Sequence, residues 1–197
     1  MIQRRRIFQM LPGIALAGCS SPPAKYYRII PIDGAIVHAA PETIRVRQIG
    51  IPSYLNQNGI AEPSGAYQFI ASANNLWAEP LPDMLQSVLV QDLTQRLPEV
   101  TVTSSSGMVG TPADLLVEIN ILRFDPDASG HITLIAQTAL KQANDGRFLS
   151  TRTLQSSAAP AGTDIPSMMA AMSALWAGLA DAVAEGIAEG KQPLGRD

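Results

Sequence analysis

Cys19 carries the only thiol in this 197-residue chain, so any cysteine chemistry must take place at that one position. Arg4-Arg5-Arg6 precedes it as a positive head, and a mostly apolar run follows over residues 7–17. That run is about 11 residues long, whereas a helix needs roughly 20 residues to cross a hydrocarbon core. The pattern is typical of a secretory signal with small residues before its cleavage site. We therefore expect a processing reaction at Cys19 rather than a membrane span.

The stretch Leu16-Ala17-Gly18-Cys19 resembles the bacterial lipobox. In that motif the thiol is acylated with diacylglycerol, and signal peptidase II cleaves between the residues that here are Gly18 and Cys19. An N-acyl chain, such as palmitate, completes the anchor, and we predict no other cofactor. The alternatives are an ordinary signal peptide with a chance cysteine, or a buried N-terminal helix. The order of basic head, apolar run, small residues and cysteine favours a lipoprotein whose signal peptide is residues 1–18.

Residues 19–25 form a short predicted tether to the membrane. Ser20 follows the acylated position, where Gram-negative bacteria commonly use Asp to retain a lipoprotein in the inner membrane. Ser resembles the pattern that is sent on to the outer membrane. Ser20 to Lys25 contains Pro22-Pro23 and extends at most about 20 Å. The sequence therefore predicts an outer-membrane lipoprotein that faces the periplasm and whose folded part stays close to the leaflet.

The charge balance limits the classes of partner. The chain has 14 Lys and Arg against 17 Asp and Glu, and residues 1–18 hold three of the arginines and no acid. The remaining part carries a net charge of about −6, which disfavours nucleic acid because phosphate binding needs clustered Lys and Arg. The same charge disfavours broad electrostatic adhesion to anionic lipid.

We find no sequence pattern for catalysis or for a metal site. With Cys19 acylated, no thiol is left for a disulfide, and His38 and His131 are far apart and lack cysteine neighbours. The chain contains no Gly-x-Ser-x-Gly elbow and no phosphate-binding glycine loop. No spacing of acidic residues singles out a pair for acid/base work. We therefore predict a protein that is not an enzyme and has no catalytic residues and no metal.

The apolar pattern predicts one α/β domain over residues 26–190, followed by a tail over 191–197. The predicted domain contains a mixed β-sheet with an antiparallel meander and two long amphipathic helices. Alternation in the segment Asp114 to Asp125 buries every second side chain, and Asn144-Asp145-Gly146 is a hairpin turn. The other predicted strands lie at 26–30, 43–49, 66–70, 100–103, 132–140 and 147–157. Helices are predicted from Pro82 to Leu97, and from a cap at Thr163 or Asp164 to Gly190.

The second helix carries a continuous apolar stripe at helical spacing, with Trp176 beside it. The stripe is Met168, Met172, Leu175, Leu179, Val183 and Ile187. One interpretation of Met168, Met169 and Met172 is an adaptable apolar groove for acyl chains. Core packing is the favoured interpretation.

Several segments together resemble the ABC-type transport auxiliary lipoprotein family, the PqiC-like proteins. The most specific is Trp77-Ala78-Glu79-Pro80-Leu81 directly before a helix. The others are the lipobox, Tyr26-Tyr27, Ile44-Arg45-Val46 through Ile51-Pro52-Ser53-Tyr54-Leu55, the segment 114–119 with Arg123-Phe124, the Gly130 turn and the last helix. The resemblance implies a domain similar to the N-terminal domain of TolB, with a mixed sheet and helices on both faces.

The resemblance also implies a role. Such lipoproteins accompany MCE-type systems, in which an ABC transporter and a periplasmic MCE protein move phospholipid or other hydrophobic cargo between membranes. This chain would be the outer-membrane docking component, and a homo-oligomer is compatible with a tubular partner. The alternative is a lipid-binding carrier lipoprotein that itself holds an acyl chain. A periplasmic hydrolase, the third class, lacks a nucleophile constellation.

Three residues are candidates for the partner interface. Tyr54 and Leu55 lie beside the neutral loop Asn56-Gln57-Asn58. Trp77 is a residue type enriched at binding hot spots. For Trp77, a core aromatic that fixes the entry into the first helix is the favoured alternative.

Overall fold

The computed structural model describes residues 22–39, 41–65, 67–107, 110 and 112–189. The predicted signal peptide 1–18, the lipidation of Cys19 with cleavage after Gly18, and the tail 191–197 lie outside the described residues. The tether is described only from Pro22 onward.

The described part of the chain forms eight strands and two helices. In chain order they are β1 Lys25–Tyr27, β2 Thr43–Val46, β3 Gly59–Pro63, β4 Phe69–Trp77, α1 Leu81–Arg96, β5 Thr101–Ser104, β6 Leu115–Pro126, β7 Ile132–Gln142, β8 Phe148–Ala158 and α2 Ile165–Glu189.

The larger sheet has five strands in the order β5-β2-β6-β7-β8. β2 runs parallel to both β5 and β6, whereas β7 runs antiparallel to both of its neighbours, β6 and β8. The predicted mixed sheet and its three-stranded meander are therefore confirmed. The predicted turn closes the β7–β8 hairpin, with Gly146 at a φ of +71°, where a residue without Cβ is favoured.

A second sheet has three strands in the order β1-β4-β3, and here the sequence interpretation needs correction. The strand predicted over 26–30 ends at Tyr27, and the strand predicted over 66–70 is the start of β4, which continues to Trp77. β3 was not predicted at all. Its sequence Gly-Ile-Ala-Glu-Pro contains residue types that are depleted in strands, so pairing with β4 supplies the stability that local propensity does not.

Both helices pack on one face of the five-stranded sheet. The register places Ile44, Val117 and Leu140 on that face, and all three are buried. The other face carries polar side chains such as the half-buried Glu118 and the exposed Asn120, and neither helix packs on it. The predicted α/β class is confirmed, but the family resemblance implied helices on both faces. The alternating polar residues of β6 explain the difference, because a covered face would have to bury them.

α2 is the principal core helix. The predicted apolar stripe is buried throughout, and the Trp176 ring packs on Phe124 with 6.1 Å between centroids. Of the two predicted caps, Asp164 is the one used, because its Oδ1 accepts the Ser167 N–H at 2.7 Å. Within the described residues, α2 is also the one helix long and apolar enough to cross a membrane. However, 61% of that apolar window is buried inside the domain, which accounts for its composition.

Candidate docking surface

The structure assigns two of the three predicted interface residues to the core. Leu55 is 4% exposed and Trp77 is 7% exposed. Trp77 is the last residue of β4, lies opposite Tyr27 in β1, and donates its backbone N–H to the Asn58 carbonyl at 2.8 Å. Its ring therefore fixes the entry into α1, as the alternative interpretation held. The prediction that Leu55 and Trp77 contact a partner is corrected, because neither side chain reaches the surface.

Tyr54 is the candidate that remains partly exposed, and it belongs to a polar network. Its hydroxyl donates a hydrogen bond to the Asp125 carboxylate, whose other oxygen accepts the Arg123 Nε–H at 2.9 Å. Burial raises the pKa of the Tyr54 phenol, and the hydrogen bond to Asp125 and its negative charge raise it further. The bond to Asp125 likewise raises the pKa of Arg123. The Tyr54 ring packs on Phe69, with 5.3 Å between centroids.

A β-bulge in β6 brings this network together. The register with β7 shifts between Ile121 and Arg123, so one extra residue, Leu122, is inserted and is 45% exposed. After the shift Phe124 points into the core, and Asp125 lies on the face covered by Tyr54. Bulges commonly redirect side chains in this way. The sequence contained a signal for it, since the strict alternation of β6 breaks where Ile121 and Phe124, three residues apart, are both apolar.

The turn between β6 and β7 contains Asp127, Ser129 and His131, the residue types of a hydrolytic triad. The Asp127 Oδ1 accepts the Ser129 hydroxyl at 2.6 Å and the backbone N–H groups of Ser129 and His131. These bonds, the one from the Ser129 hydroxyl first, lower the pKa of Asp127. In a triad the carboxylate orients the histidine and leaves the serine proton for that base. Here the Ser129 hydroxyl also lies 3.0 Å from His131 Nδ1, but the Asp127 carboxylate binds the serine hydroxyl and two backbone N–H groups rather than the histidine side chain. This arrangement holds the turn and lacks the carboxylate–histidine contact of a triad.

Two shallow grooves lie at this end of the domain, which we call the turn end because the β3–β4 and β6–β7 turns meet there. One, of about 600 Å³, lies between the β6–β7 turn and the loop before α2, with Met168 and Ile165 in its wall. The other, of about 430 Å³, is lined by residues of both turns, among them Pro63, Phe69 and Pro126. Within the described part of the chain, no three His, Cys, Asp or Glu side chains are grouped to hold a metal ion.

Residues 29–37, which we call the strap, connect the first strand to the body of the domain. The strap has no regular structure, and side chains of both helices bind its backbone. The Ile30 N–H donates to the Ser173 hydroxyl at 3.2 Å, and the Ile32 N–H donates to Asp92 Oδ1 at 3.0 Å. The Gln95 side chain both accepts the Gly34 N–H and donates to the Gly34 carbonyl. The strap therefore fixes the N-terminal part of the chain to α1 and α2.

Arg96 lies at the centre of this attachment and is 1% exposed. Its guanidinium donates to Asp181 Oδ1 at 2.6 Å and to the backbone carbonyl groups of Ile32, Asp92 and Ala177. Neighbouring Asp92 is also buried, and its Oδ2 has no hydrogen-bond partner. Burial raises the pKa of Asp92, against the opposing effects of the Ile32 N–H and the Arg96 charge. Sequence reasoning missed both residues, although their spacing continues the stripe of Leu85 and Leu89 along α1.

Comparisons with known proteins agree with this architecture. The family model described as "ABC-type transport auxiliary lipoprotein component" matches residues 31–184. The curated protein "Intermembrane transport lipoprotein PqiC" of Escherichia coli K12 is 28% identical over 135 residues, which cover 66% of this chain and 71% of that protein.

Two crystal structures share the fold. One, of an uncharacterised protein, has a TM-score of 0.70 at 22% identity and covers 84% of this chain and 99% of its own. The other, of a Xanthomonas campestris protein, has a TM-score of 0.65 at 17% identity and covers 81% of this chain and 92% of its own. The family model covers most of the sequence and nearly all of the described domain, and so this chain belongs to the ABC-type transport auxiliary lipoprotein component family.

Proposed function

We propose that this protein is an outer-membrane lipoprotein that docks an MCE-type ABC transport system, which moves phospholipid or other hydrophobic cargo across the periplasm. The observation that carries the proposal is family membership over residues 31–184, in a chain whose N-terminal region contains the lipobox ending at Cys19. The name of the Escherichia coli relative, an intermembrane transport lipoprotein, supports a role between two membranes.

The way the tether enters the fold supports a docking role. β1 begins at Lys25, six residues after Cys19, and its three residues are paired in register with β4. The strap then fixes the chain to both helices. A lipid at Cys19 would therefore hold a rigid domain within about 20 Å of the leaflet. This arrangement suits a fixed attachment point better than a diffusing carrier.

Cell fractionation tests the membrane assignment. We expect the wild-type protein in the outer-membrane fraction and Ser20→Asp in the inner-membrane fraction. Cys19→Ser should be folded but soluble in the periplasm. Ser20→Asp is the matched control, because it retains the lipid and changes only the sorting residue. Recovery of Cys19→Ser with the outer membrane would contradict the proposed lipid anchor. Recovery of Ser20→Asp in the same fraction as the wild-type protein would contradict the proposed sorting by Ser20.

Photo-crosslinking in cells tests the partner. A photoreactive residue is placed singly at Asn120 on the open sheet face, at Asp145 in the β7–β8 turn, or at Glu185 on the outer side of α2; all three positions are exposed. We expect a covalent adduct with the periplasmic MCE protein from at least one position. The same positions in the Cys19→Ser background are the control, since release from the membrane should weaken the adduct. Absence of an MCE adduct from all three positions contradicts the docking role.

The alternative function, a carrier that holds an acyl chain, has less support. Of the three methionines predicted as a possible groove for acyl chains, Met169 and Met172 are buried in the core, and Met168, 8% exposed, reaches only the wall of the groove at the turn end. The groove of about 600 Å³ at the turn end has an apolar wall that includes Ile165 and Met168, but it is shallow, and Asp127, His131 and Asp164 also line it. It therefore does not enclose an acyl chain as a buried apolar pocket would. Native mass spectrometry of the Cys19→Ser protein separates the two functions. The docking role predicts no bound phospholipid, and the same spectra give the number of copies in any homo-oligomer.

A further inference from the structure

The tip of the β3–β4 hairpin exposes three large apolar side chains to solvent. Tyr67 is 101% exposed, Ile70 is 53% exposed and Phe69 is 45% exposed, and all three lie within four residues of one another. Single exposed apolar residues are ordinary on a protein surface, but a cluster marks an interaction site. We call Tyr67, Phe69 and Ile70 the hairpin tip.

The domain holds the hairpin tip in a fixed position. Pro63 lies opposite Phe69 in the strand register, and the Ser64 N–H donates to the Gln68 carbonyl at 2.7 Å to close the turn. The Phe69 ring packs on Tyr54, whose hydroxyl is bonded to the buried Asp125. The tip is therefore held in place by contacts that lead through Tyr54 to the buried Asp125 of β6.

The tether leads to the same end of the domain. β1 is parallel to β4 and places Lys25 opposite Asn75, so the chain before Lys25 leaves the sheet towards the end where β4 begins, at Phe69. Phe69 is six residues before Asn75, about 20 Å along a strand. Cys19 is six residues before Lys25 and reaches at most about 20 Å from it. An acyl anchor at Cys19 can reach the level of the tip but extends little beyond it.

The charge around the tip favours an apolar contact. Residues 59–77 contain no Lys or Arg and one acid, Glu62. On the adjacent β6–β7 side, Arg123 is bonded to Asp125, and the acid Asp127 is partly exposed. No positive patch is therefore available in this segment to attract anionic head groups. Tyr and Phe are the residue types that settle at the boundary between head groups and acyl chains.

We infer that the hairpin tip, Tyr67, Phe69 and Ile70, inserts into the interfacial layer of the leaflet that holds the acylated Cys19. The inference rests on the lipid anchor of the proposed function. Because the acyl chains already retain the protein, the tip does not anchor it; it fixes the orientation of the domain. The face of the domain that a partner meets is then set by two points of membrane contact, the lipid and the tip.

A site-specific fluorescent probe tests this contact. Acylation consumes Cys19, so Tyr67→Cys introduces the single free thiol of the lipidated protein, and a polarity-sensitive dye is attached there. The matched control is Phe148→Cys, since Phe148 is 59% exposed and lies at the end of the meander away from the β6–β7 turn. Both proteins are reconstituted in phosphatidylcholine vesicles and in phosphatidylethanolamine–phosphatidylglycerol vesicles, with and without lipids that carry a quencher near the head group.

Flotation of the vesicles is measured first. Protein that does not float shows failure of the lipid anchor, and hence of the proposed function, whereas the inference concerns protein that floats. For floating protein we expect the dye at position 67 to shift to the blue and to be quenched equally in both lipid mixtures, with the dye at 148 unchanged. Equal exposure to water at 67 and 148, or quenching at 67 in the anionic mixture alone, overturns the inference.

The same dye distinguishes membrane contact from self-association. In the soluble Cys19→Ser, Tyr67→Cys protein without vesicles, we expect the dye to stay exposed to water at all protein concentrations. A blue shift that grows with protein concentration identifies a second copy of this chain as the occupant of the tip and overturns the inference. Tyr67 is fully exposed, so its replacement leaves the packing of the domain intact.

Discussion

The Arg96 Nε donates to the Asp181 Oδ1 at 2.6 Å and thereby joins α1 to α2 through a side chain that is itself 1% exposed. The same guanidinium binds the Ile32 carbonyl of the strap at 3.0 Å. One residue therefore connects three segments that are distant in sequence. The strap begins two residues after β1, so the chain that follows the first strand is attached to both helices.

Replacing Arg96 with Met should destabilise the domain by about 3 kcal/mol, because removal of one partner leaves a buried charge uncompensated. Asp92 is the group affected, since Asp181 is half exposed and can be hydrated. Equilibrium unfolding in urea measures the change. Arg152→Met is the matched control, because the Arg152–Glu189 pair is exposed on both sides and should contribute less than about 1 kcal/mol. Equal effects of the two substitutions would contradict the role given to Arg96.

Asp92→Asn should change the pH dependence of stability. Burial raises the pKa of Asp92 above its unfolded value of 3.8, so the folded state binds more protons than the unfolded state at pH values between the two. The free energy of unfolding of the wild-type protein therefore falls as the pH rises through that interval. Asp92→Asn does not show this fall, because Asn does not titrate. The stability of Asp92→Asn relative to the unmodified protein should increase with pH above about 4 and then level off. Unfolding in urea over a pH series measures it.

For Asp127→Asn we expect a pH dependence of stability opposite in sign to that of Asp92→Asn. Hydrogen bonds from Ser129 and His131 lower the pKa of Asp127, so its stabilising effect is present above the unfolded pKa and is lost as the pH falls. The disadvantage of Asp127→Asn should therefore shrink towards acid pH. If the stability of both variants relative to the wild-type protein changed with pH in the same way, the pKa values of Asp92 and Asp127 would not be shifted in opposite directions, and the prediction would fail.

Sequence periodicity predicted the meander and α2 because their stability comes from regular burial of every second residue, or of every third and fourth. It did not predict β3, whose Gly59, Glu62 and Pro63 form a strand only because β4 is adjacent. It extended β1 to residue 30, since it could not distinguish pairing with a strand from pairing with helix side chains such as Ser173 and Asp92. The interface candidates Leu55 and Trp77 were wrong for a related reason. Residue type indicates that a large apolar group needs burial, but not whether the core or a partner provides it.

Gly34→Ala should destabilise the domain, because a Cβ at this position would overlap the Arg96 guanidinium and the Asp181 carboxylate. The Gly34 backbone is also held by both polar atoms of the Gln95 side chain, so it cannot move aside without breaking those bonds. We expect a loss of about 1–3 kcal/mol, the usual cost of overpacking. Thermal and urea unfolding measure the loss.

Gly178→Ala is the control for the same chemical change. Gly178 lies in α2 with open space around its Cβ position, so Ala should stabilise the helix by about 1 kcal/mol through its higher helix propensity. A stabilising Gly34→Ala would show that Arg96 and Asp181 separate without cost. The strap would then be less firmly attached than its hydrogen bonds indicate.

Tyr54→Phe tests the support of the hairpin tip. The substitution retains the ring that packs on Phe69 and removes the hydroxyl bonded to Asp125. Because the carboxylate is buried and loses one of its two side-chain donors, we expect a destabilisation of about 1–2 kcal/mol at neutral pH. Tyr26→Phe is the control, since Tyr26 is 66% exposed and should be nearly neutral.

The same pair should behave differently at alkaline pH. The pKa of Tyr54 is raised in the folded state, so above about pH 10 the unfolded phenol ionises while the folded one keeps its proton. The unmodified protein therefore loses stability as the pH rises through that value, and the deficit of Tyr54→Phe should shrink. Urea unfolding at neutral and alkaline pH measures both effects. A deficit that stays constant with pH, or one no larger than that of Tyr26→Phe, would mean that Asp125 does not depend on the Tyr54 hydroxyl. The support of Phe69 would then come from ring packing alone.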